Sequence, residues 1–171
     1  MPYPAKAIAN EFLGLARNEG KSLTQMQLQK LAYFAYGWYL AITGKRLVDE
    51  RVEAWEWGPV IPSIYKAFKR FGSSPITEPA AEVMFREGKV GFFPVRIQSD
   101  NPSEDALALQ IIKRVWDIYG KYSGSALSNM THAPDSPWTR TPNREIKGTD
   151  IDDSLIMQYF RNLASKHEQP A

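Results

Sequence analysis

The strongest constraint on the fold is one apolar segment near the start of the chain, SLTQMQLQKLAYFAYGWYLAITGK. It opens with Thr24 followed three residues later by Gln27, the pattern of a helix capping box. Apolar residues then surround almost the whole circumference of the predicted helix, and Gly44 is placed to end it. Those at helical spacing are Leu28, Leu31, Ala35, Trp38 and Ile42. Such a helix must be enclosed by other elements, so we expect a helical fold built around it.

Further helices are predicted along the rest of the chain. Pro62 can occupy the first position of one helix, and Asn101 can cap another that begins at Pro102. Acidic residues from Asp150 onward favour the start of a last helix, because their charge suits the positive end of the helix dipole.

Two segments predict limited β-structure. Residues 51 to 55 can form a short strand or extended segment, which Gly58-Pro59 is expected to break before the next helix. Residues 83 to 97 predict a small hairpin around Glu87-Gly88, with Pro94 confining its second strand to an edge. The expected fold is therefore mainly α, a single compact helical domain with a small β-hairpin or short antiparallel β element.

Composition limits the class of protein. The 171 residues are 43% hydrophobic and 23% charged, which suits one globular domain over residues 1–171. A net charge of +2 gives no electrostatic indication of a nucleic-acid partner. The chain has no cysteine, which excludes a disulfide framework and a thiolate nucleophile and fits a cytoplasmic location. Charged residues interrupt the apolar N-terminal segment, which predicts an amphipathic helix rather than a membrane span.

No pattern in the sequence predicts catalysis, a metal site or a cofactor. His132, Asp135 and Ser136 are the side-chain types of a serine hydrolase, but a catalytic triad depends on spatial arrangement and usually draws on distant segments. We interpret His132 instead as a residue that ends a helix and bonds nearby backbone. The acidic residues are dispersed or lie at helix starts, and no phosphate-binding glycine loop occurs. The sequence thus predicts a protein that is not an enzyme.

A short basic segment, KAFKRF, allows two interpretations. Lys66, Lys69 and Arg70 beside aromatic residues can indicate a nucleic-acid surface with stacking rings. However, Phe68 and Phe71 fit the buried stripe of the predicted helix, which leaves the three cations as an ordinary solvated face. We favour the solvated face.

The segment EAWEWGPVIPSIY raises the question of whether its two tryptophans form a scaffold or a site. Trp55 and Trp57 lie two residues apart, so they would point to the same side of an extended segment. Tryptophan is common both in protein cores and at the centre of protein interfaces. The residues alone leave both possibilities open.

The order of these segments resembles the Panacea antitoxin domain family, also described as SocA-like or phage-associated GepA-like. The resemblance runs from about Leu23 to Phe160. Its most specific elements are Leu28-Gln29-Lys30-Leu31, Gly37-Trp38, Ala54-Trp55, Gly58-Pro59-Val60, Tyr65, and Thr131-His132 with Trp138.

The resemblance implies an antitoxin of a bacterial or prophage toxin–antitoxin pair. Such a protein neutralises a cognate toxin, encoded by a neighbouring gene, through direct contact in the cytoplasm. An alternative within the same family is an adaptor that delivers the toxin to a cytoplasmic protease. A further alternative is a phage-associated protein with an unrelated binding role.

The motif residues fall into two expected groups. One group forms the structural framework, with its Leu28, Leu31 and Trp38 expected to be buried. Its members are Leu28, Gln29, Leu31, Trp38, Trp55, Gly58, Pro59 and Trp138. The second group is expected to reach the surface and bind the partner, because its side chains are polar or amphipathic. Its members are Lys30, Tyr33, Trp57, Tyr65 and His132.

Overall fold

The computed structural model describes residues 1–168, and it arranges them as seven α-helices, one 3-10 turn and two β-hairpins. The expected mainly α fold with a small antiparallel β element is confirmed, although there are two such elements rather than one. The elements are α1 (Ala5–Asn18), α2 (Gln25–Thr43), β1 (Glu53–Trp55), β2 (Gly58–Val60), α3 (Pro62–Phe68), the 3-10 turn Lys69–Phe71, β3 (Ala81–Arg86), β4 (Lys89–Pro94), α4 (Pro102–Tyr119), α5 (Gly124–Thr131), α6 (Pro137–Arg140) and α7 (Asp153–Glu168).

Helix α2 is the centre of the molecule, as its sequence predicts. It contacts α1, α3, α4, α5, α7 and strand β2. Thr24 and Gln27 form the capping box, because each side chain accepts a hydrogen bond from the backbone N–H of the other. Gly44 ends the helix in the left-handed conformation, which glycine adopts without steric cost. These two signals fix both ends of the central helix.

The buried stripe of α2 is shorter than the sequence predicts. Leu28, Leu31 and Ala35 are fully buried, whereas Trp38 is only partly buried and Ile42 is exposed. The expectation of a buried Trp38 is therefore wrong in degree: its ring contacts Phe160 edge to face, with the ring centroids 5.2 Å apart. Near the C-terminal end of α2, the side of the helix that carries Trp38 and Ile42 emerges from the core, whereas Tyr39 and Leu40 stay buried.

The last helix crosses α2 at a close contact that requires glycine. A Cβ atom added to Gly37 would overlap the ring of Phe160 on α7. Phe160 is buried and also contacts Tyr33, Phe34 and Tyr159 edge to face or nearly so. The close approach of the two helices thus depends on the missing side chain at position 37.

The segment after α2 differs from its prediction. Gly58-Pro59 does not simply break the strand: residues 58 to 60 form β2, which pairs antiparallel with β1 in the register Ala54↔Pro59. The N–H of Ala54 points away from β2 and donates to the carbonyl oxygen of Thr149 at 2.8 Å. Ala54 and Pro59 are therefore a non-hydrogen-bonded pair, in which the N–H that proline lacks is not needed. The chain therefore turns at Glu56–Trp57, and Trp55 and Trp57 do not lie on one extended strand.

The other predicted boundaries agree closely with the structure. Pro62 opens α3, and Asn101 caps α4 by accepting hydrogen bonds from the N–H groups of Ser103 and Glu104. The predicted hairpin is formed by β3 and β4 around Glu87-Gly88. Asp153 begins α7, where its carboxylate accepts a hydrogen bond from Tyr36 and pairs with Arg46 at 2.7 Å.

The helices of the described residues include none that could cross a membrane, since each is too short or too polar.

Candidate interaction site

A pocket of about 660 Å³ lies between the start of α2 and the β1–β2 hairpin. We call it the aromatic pocket, because the side chains of Trp55, Trp57 and Tyr65 line it. Its remaining lining comes from the start of α2, the β1–β2 hairpin, the start of α5 and the turn after α3: Thr24, Gln25, Met26, Gln29, Lys30, Glu56, Val60, Gly72, Ser73, Gly124 and Ser125.

The hairpin that carries the two tryptophans is held firmly at its turn. Ser128 donates a hydrogen bond to the carbonyl oxygen of Trp57 at 2.8 Å, and the indole N–H of Trp138 donates to the carbonyl oxygen of Trp55 at 2.7 Å. Ser128 belongs to α5 and Trp138 to α6, both far away in sequence. The turn is therefore fixed from outside as well as by its own strand pairing.

Trp55 and Trp57 have different surroundings. The indole N–H of Trp55 donates to Glu53 at 2.7 Å, and its ring meets Tyr65 edge to face at 4.8 Å between centroids. The side chain of Trp57 is 63% exposed although its backbone is fixed. Trp55 is thus mostly a structural residue of the pocket, whereas Trp57 presents a large apolar surface to solvent.

Gln29 connects the central helix to the next element. Its side-chain amide donates to the carbonyl oxygen of Ile61 and accepts from the N–H of the same residue, at 3.2 Å and 3.0 Å. Both bonds are buried, so their loss would leave backbone groups unsatisfied. This paired contact fixes the junction of β2 and α3 on one side of the pocket.

Lys30 lies at the bottom of the pocket and is only 1% exposed. Its ammonium group donates to the carbonyl oxygen of Pro59 at 3.0 Å, and it has no carboxylate partner among the described residues. Burial lowers the pKa of Lys30 to about 7, because a charged ammonium is poorly solvated there. The expectation that Lys30 reaches the surface is therefore wrong, although it lines the pocket.

The backbone at Gly58 makes room for Lys30. Gly58 has φ of 116°, and a Cβ atom there would lie 2.6 Å from the hydroxyl oxygen of Thr131 and 3.1 Å from the ammonium of Lys30. Any side chain at this position would therefore collide with both residues and strain the backbone. The glycine of the Gly58-Pro59-Val60 motif is explained by this contact.

His132 is a structural residue in this arrangement. Its Nδ1 lies 2.6 Å from the carbonyl oxygen of Ser128, and its ring packs 4.0 Å from that of Trp138. Because a carbonyl oxygen can only accept, the proton resides on Nδ1. Within the described residues His132 makes no hydrogen bond to Asp135 or Ser136, and Ser136 instead caps α6. The interpretation of His132 as a helix-ending residue is confirmed.

Tyr33 does not belong to the pocket. It is buried beside Phe34 and Phe160 in the core, with ring centroids 5.7 Å and 5.8 Å away. The expectation that Tyr33 reaches a surface is wrong, because α2 is enclosed on that side by α7. Of the five predicted partner-binding residues, the pocket thus brings together Lys30, Trp57 and Tyr65.

A second cleft, of about 680 Å³, lies on the other side of Trp55. Arg144 stacks over the ring of Trp138 at 4.7 Å, and Lys147 lies 6.0 Å from the ring of Trp55. Glu56 and Glu145 also line the cleft, so its charges are mixed. The sequence does not predict a role for Arg144, Glu145 and Lys147, because they lie in an irregular segment after Trp138 that has no helical or strand periodicity.

The predicted solvated face of α3 is consistent with the structure. Lys66, Lys69 and Arg70 are exposed, and Arg70 pairs with Glu78 at 3.1 Å. Phe68 is buried and Phe71 partly so, as the interpretation of a solvated face requires.

The described residues contain no group of three or more potential metal ligands.

These features define a small, mainly helical protein with a preformed aromatic pocket. A family model described as "Antitoxin SocA-like, Panacea domain" matches residues 28–139, which include every framework residue predicted above. The antitoxin SocA of Caulobacter vibrioides (strain NA1000 / CB15N) is 32% identical over 161 residues, covering 92% of this chain and 82% of that protein. The chain therefore belongs to the SocA-like Panacea antitoxin domain family. No solved structure matches it significantly.

Proposed function

We propose that this chain is the antitoxin of a bacterial or prophage toxin–antitoxin pair and that it neutralises its cognate toxin by direct binding at the aromatic pocket. The toxin is expected to be the product of a neighbouring gene, and the complex to act in the cytoplasm without a cofactor. Membership in the family supports the antitoxin role in general, and the pocket supports its location on the molecule.

The proposed location of the toxin contact rests on one observation, the exposed side chain of Trp57 on a fixed backbone. Its side chain is 63% exposed, yet its backbone is fixed by Ser128 and by the β1–β2 pairing. A large aromatic side chain on a rigid backbone loses little conformational freedom on binding, which favours affinity. Tryptophan and tyrosine also dominate the energetic centres of protein interfaces. Trp57 and Tyr65 are therefore the proposed anchors.

The bottom of the pocket supplies polar groups with unused hydrogen-bonding capacity. Lys30 uses one of its protons on Pro59. The Oε1 atom of Gln25 is buried without a hydrogen-bond partner in the described residues. Apolar walls with a few polar groups at the bottom are typical of sites that bind a specific side chain of a partner.

The first experiment is co-expression of the chain with the product of its neighbouring gene, with growth and co-purification as the two measurements. Wild-type protein is expected to restore growth and to form a stable complex. Trp57→Ala is expected to weaken the complex at least about 30-fold, since truncation of an interface anchor costs about 2 kcal/mol or more. Titration calorimetry of the purified proteins gives the affinity.

Ile42→Ala is the matched control, because Ile42 is an exposed apolar residue of α2 outside the pocket. It is expected to bind as the wild type does. If Trp57→Ala also binds the toxin like the wild type, the pocket is not the contact. If the wild-type chain neither binds nor protects, the proposed antitoxin activity itself is wrong.

The same experiment separates a direct blocker from a protease adaptor. A blocker leaves the half-life of the toxin unchanged or longer, because the complex is stable. Growth rescue with a shortened toxin half-life and no stable complex identifies an adaptor instead. Toxin levels after translation is stopped give this half-life.

A further inference from the structure

The hairpin β3–β4 has an apolar face that is turned to solvent. Val83, Phe85, Val90 and Phe92 are between 62% and 78% exposed, and the pairing Val83↔Phe92 and Phe85↔Val90 places them side by side. We call these four residues the hairpin face. Isolated exposed apolar residues are ordinary, but a contiguous group of this kind marks an interaction surface.

The attachment of the hairpin to the molecule explains which face is free. Asn10 of α1 donates to the carbonyl oxygens of Ala80 and Val95 at 2.7 Å and 2.8 Å, and it accepts from the N–H of Ala80. Lys6 of α1 pairs with Glu82 at 3.0 Å. Because side chains alternate along a strand, the face that includes Glu82 is turned toward α1 and the hairpin face points away.

The four side chains are arranged so that two copies of the face fit together. Within each strand pair, a phenylalanine lies beside a valine, and the two phenylalanines occupy opposite corners of the group. A two-fold axis that lies between the two faces and runs parallel to the sheet, either along or across the strands, places each phenylalanine of one copy over a valine of the other. Large residues then face small ones, as in a well-packed core.

The area of the face is in the range that a dimer needs. At the areas typical of aromatic side chains, the exposed parts of Phe85 and Phe92 present about 300 Å². With the two valines the face is on the order of 500 Å², the upper part of the range for the largest patch on a monomer. Two copies would bury roughly 1,000 Å² in total, the lower limit for a specific interface.

We propose that the hairpin face is a self-association surface on which a second copy of this chain packs, giving a two-fold symmetric dimer. The two hairpins run antiparallel, so that the protein bodies at their bases lie at opposite ends. This arrangement places Glu87, in the turn of each hairpin, near the exposed Arg96 at the base of the other. Neither residue forms an ion pair within the described part of one chain, so the two contacts would be new.

Analytical ultracentrifugation of the full chain over about three decades of concentration tests the proposal, because a dimer dissociates on dilution. The wild type is expected to change from monomer to dimer with rising concentration. Phe85→Asp combined with Phe92→Asp is expected to weaken the dimer by about 100-fold or more, since charges would meet in the interface. Circular dichroism verifies that this variant is folded.

Ile146→Asp is the matched control, because Ile146 is an exposed apolar residue outside the hairpin and its change should leave the dimer intact. Glu87→Arg is expected to weaken the dimer, and Arg96→Glu added to it is expected to restore part of the loss if the hairpins are antiparallel. A wild-type chain that stays monomeric throughout overturns the proposal. A monomeric wild type whose toxin binding is lost in the double Phe variant overturns it in favour of the toxin as the occupant.

Discussion

At the scale of single residues, the most unusual position is Lys30, the only charged residue in α2. Its ammonium group is buried with one backbone acceptor, and burial lowers its pKa from 10.5 to about 7. The folded state therefore binds fewer protons at this site than the unfolded chain does between pH 7 and 10.5. It follows that the free energy of unfolding contributed by Lys30 rises with pH across this window and is lowest at and below its lower end.

The substitution Lys30→Met isolates this effect. At neutral pH the variant gains stability by removing a buried charge and loses some by leaving the carbonyl oxygen of Pro59 unpaired. The change with pH does not depend on that balance: because only the wild type contains Lys30, the stability of the variant relative to wild type should fall by up to roughly 1 kcal/mol for each pH unit above neutrality. Urea unfolding of both proteins from about pH 7 to about pH 10 measures the difference.

The comparison uses the difference in the free energy of unfolding between wild type and Lys30→Met. Groups that both proteins contain titrate alike in both, so their contribution cancels in this difference. Lys66→Met, which removes an exposed ammonium from α3, is the control for the loss of a surface charge. A stability difference between wild type and Lys30→Met that stays constant over the whole pH range would contradict the buried, weakly basic state of Lys30.

Gly37 gives a second prediction at the residue scale. Alanine normally stabilises a helix interior relative to glycine, but a Cβ at this position overlaps the buried ring of Phe160. Gly37→Ala should therefore lower the free energy of unfolding by roughly 1–3 kcal/mol, the usual result of overpacking a core. Thermal and urea unfolding measure the change.

Gly14 of α1 is the matched control for this prediction. A Cβ atom there would meet only the end of the Arg17 side chain, at 4.0 Å. Gly14→Ala should therefore raise the free energy of unfolding by about 0.5–1 kcal/mol. A Gly37→Ala variant that is as stable as the wild type, or more stable as Gly14→Ala is expected to be, refutes the prediction for Gly37.

At the scale of secondary-structure elements, α2 begins with interactions that the sequence itself specifies. Thr24→Ala removes the side-chain half of the capping box and should lower the free energy of unfolding by about 1 kcal/mol. Thr77→Ala is a suitable control, because Thr77 is exposed and its hydroxyl has no hydrogen bond within the described residues. Equal stability of the Thr24→Ala variant and the wild type would show that the rest of the fold, not the cap, fixes the start of α2.

The β1–β2 hairpin shows where local sequence signals are insufficient. Pro59 is usually incompatible with a strand interior, and the sequence accordingly predicts a break. The strand forms because Pro59 lies opposite Ala54 in a non-hydrogen-bonded pair, with the N–H of Ala54 turned outward to Thr149, and no local pattern identifies this register. A single extended segment would place Trp55 and Trp57 on the same side, whereas the turn at Glu56–Trp57 gives them different surroundings.

At the scale of the whole molecule, the sequence predicts the mainly α class and most helix boundaries, because caps, prolines and glycines act locally. It predicts Trp57 and Tyr65 as surface residues, but it places Lys30 and Tyr33 incorrectly. The polarity of these two side chains favours a surface, whereas α2 is enclosed on nearly all sides. A single charged residue in a helix that is otherwise apolar or uncharged was the available signal that Lys30 is buried.

The contact between Gly37 and Phe160 also has a consequence for the timing of biosynthesis. Helix α2 leaves the ribosome well before α7, so the part of its apolar surface that α7 covers stays exposed until Phe160 has been translated. At ordinary elongation rates this interval is on the order of ten seconds, during which the nascent chain is exposed to chaperones and proteases. The supply of folded protein therefore lags behind its own translation, and any slowing of the ribosome lengthens that delay.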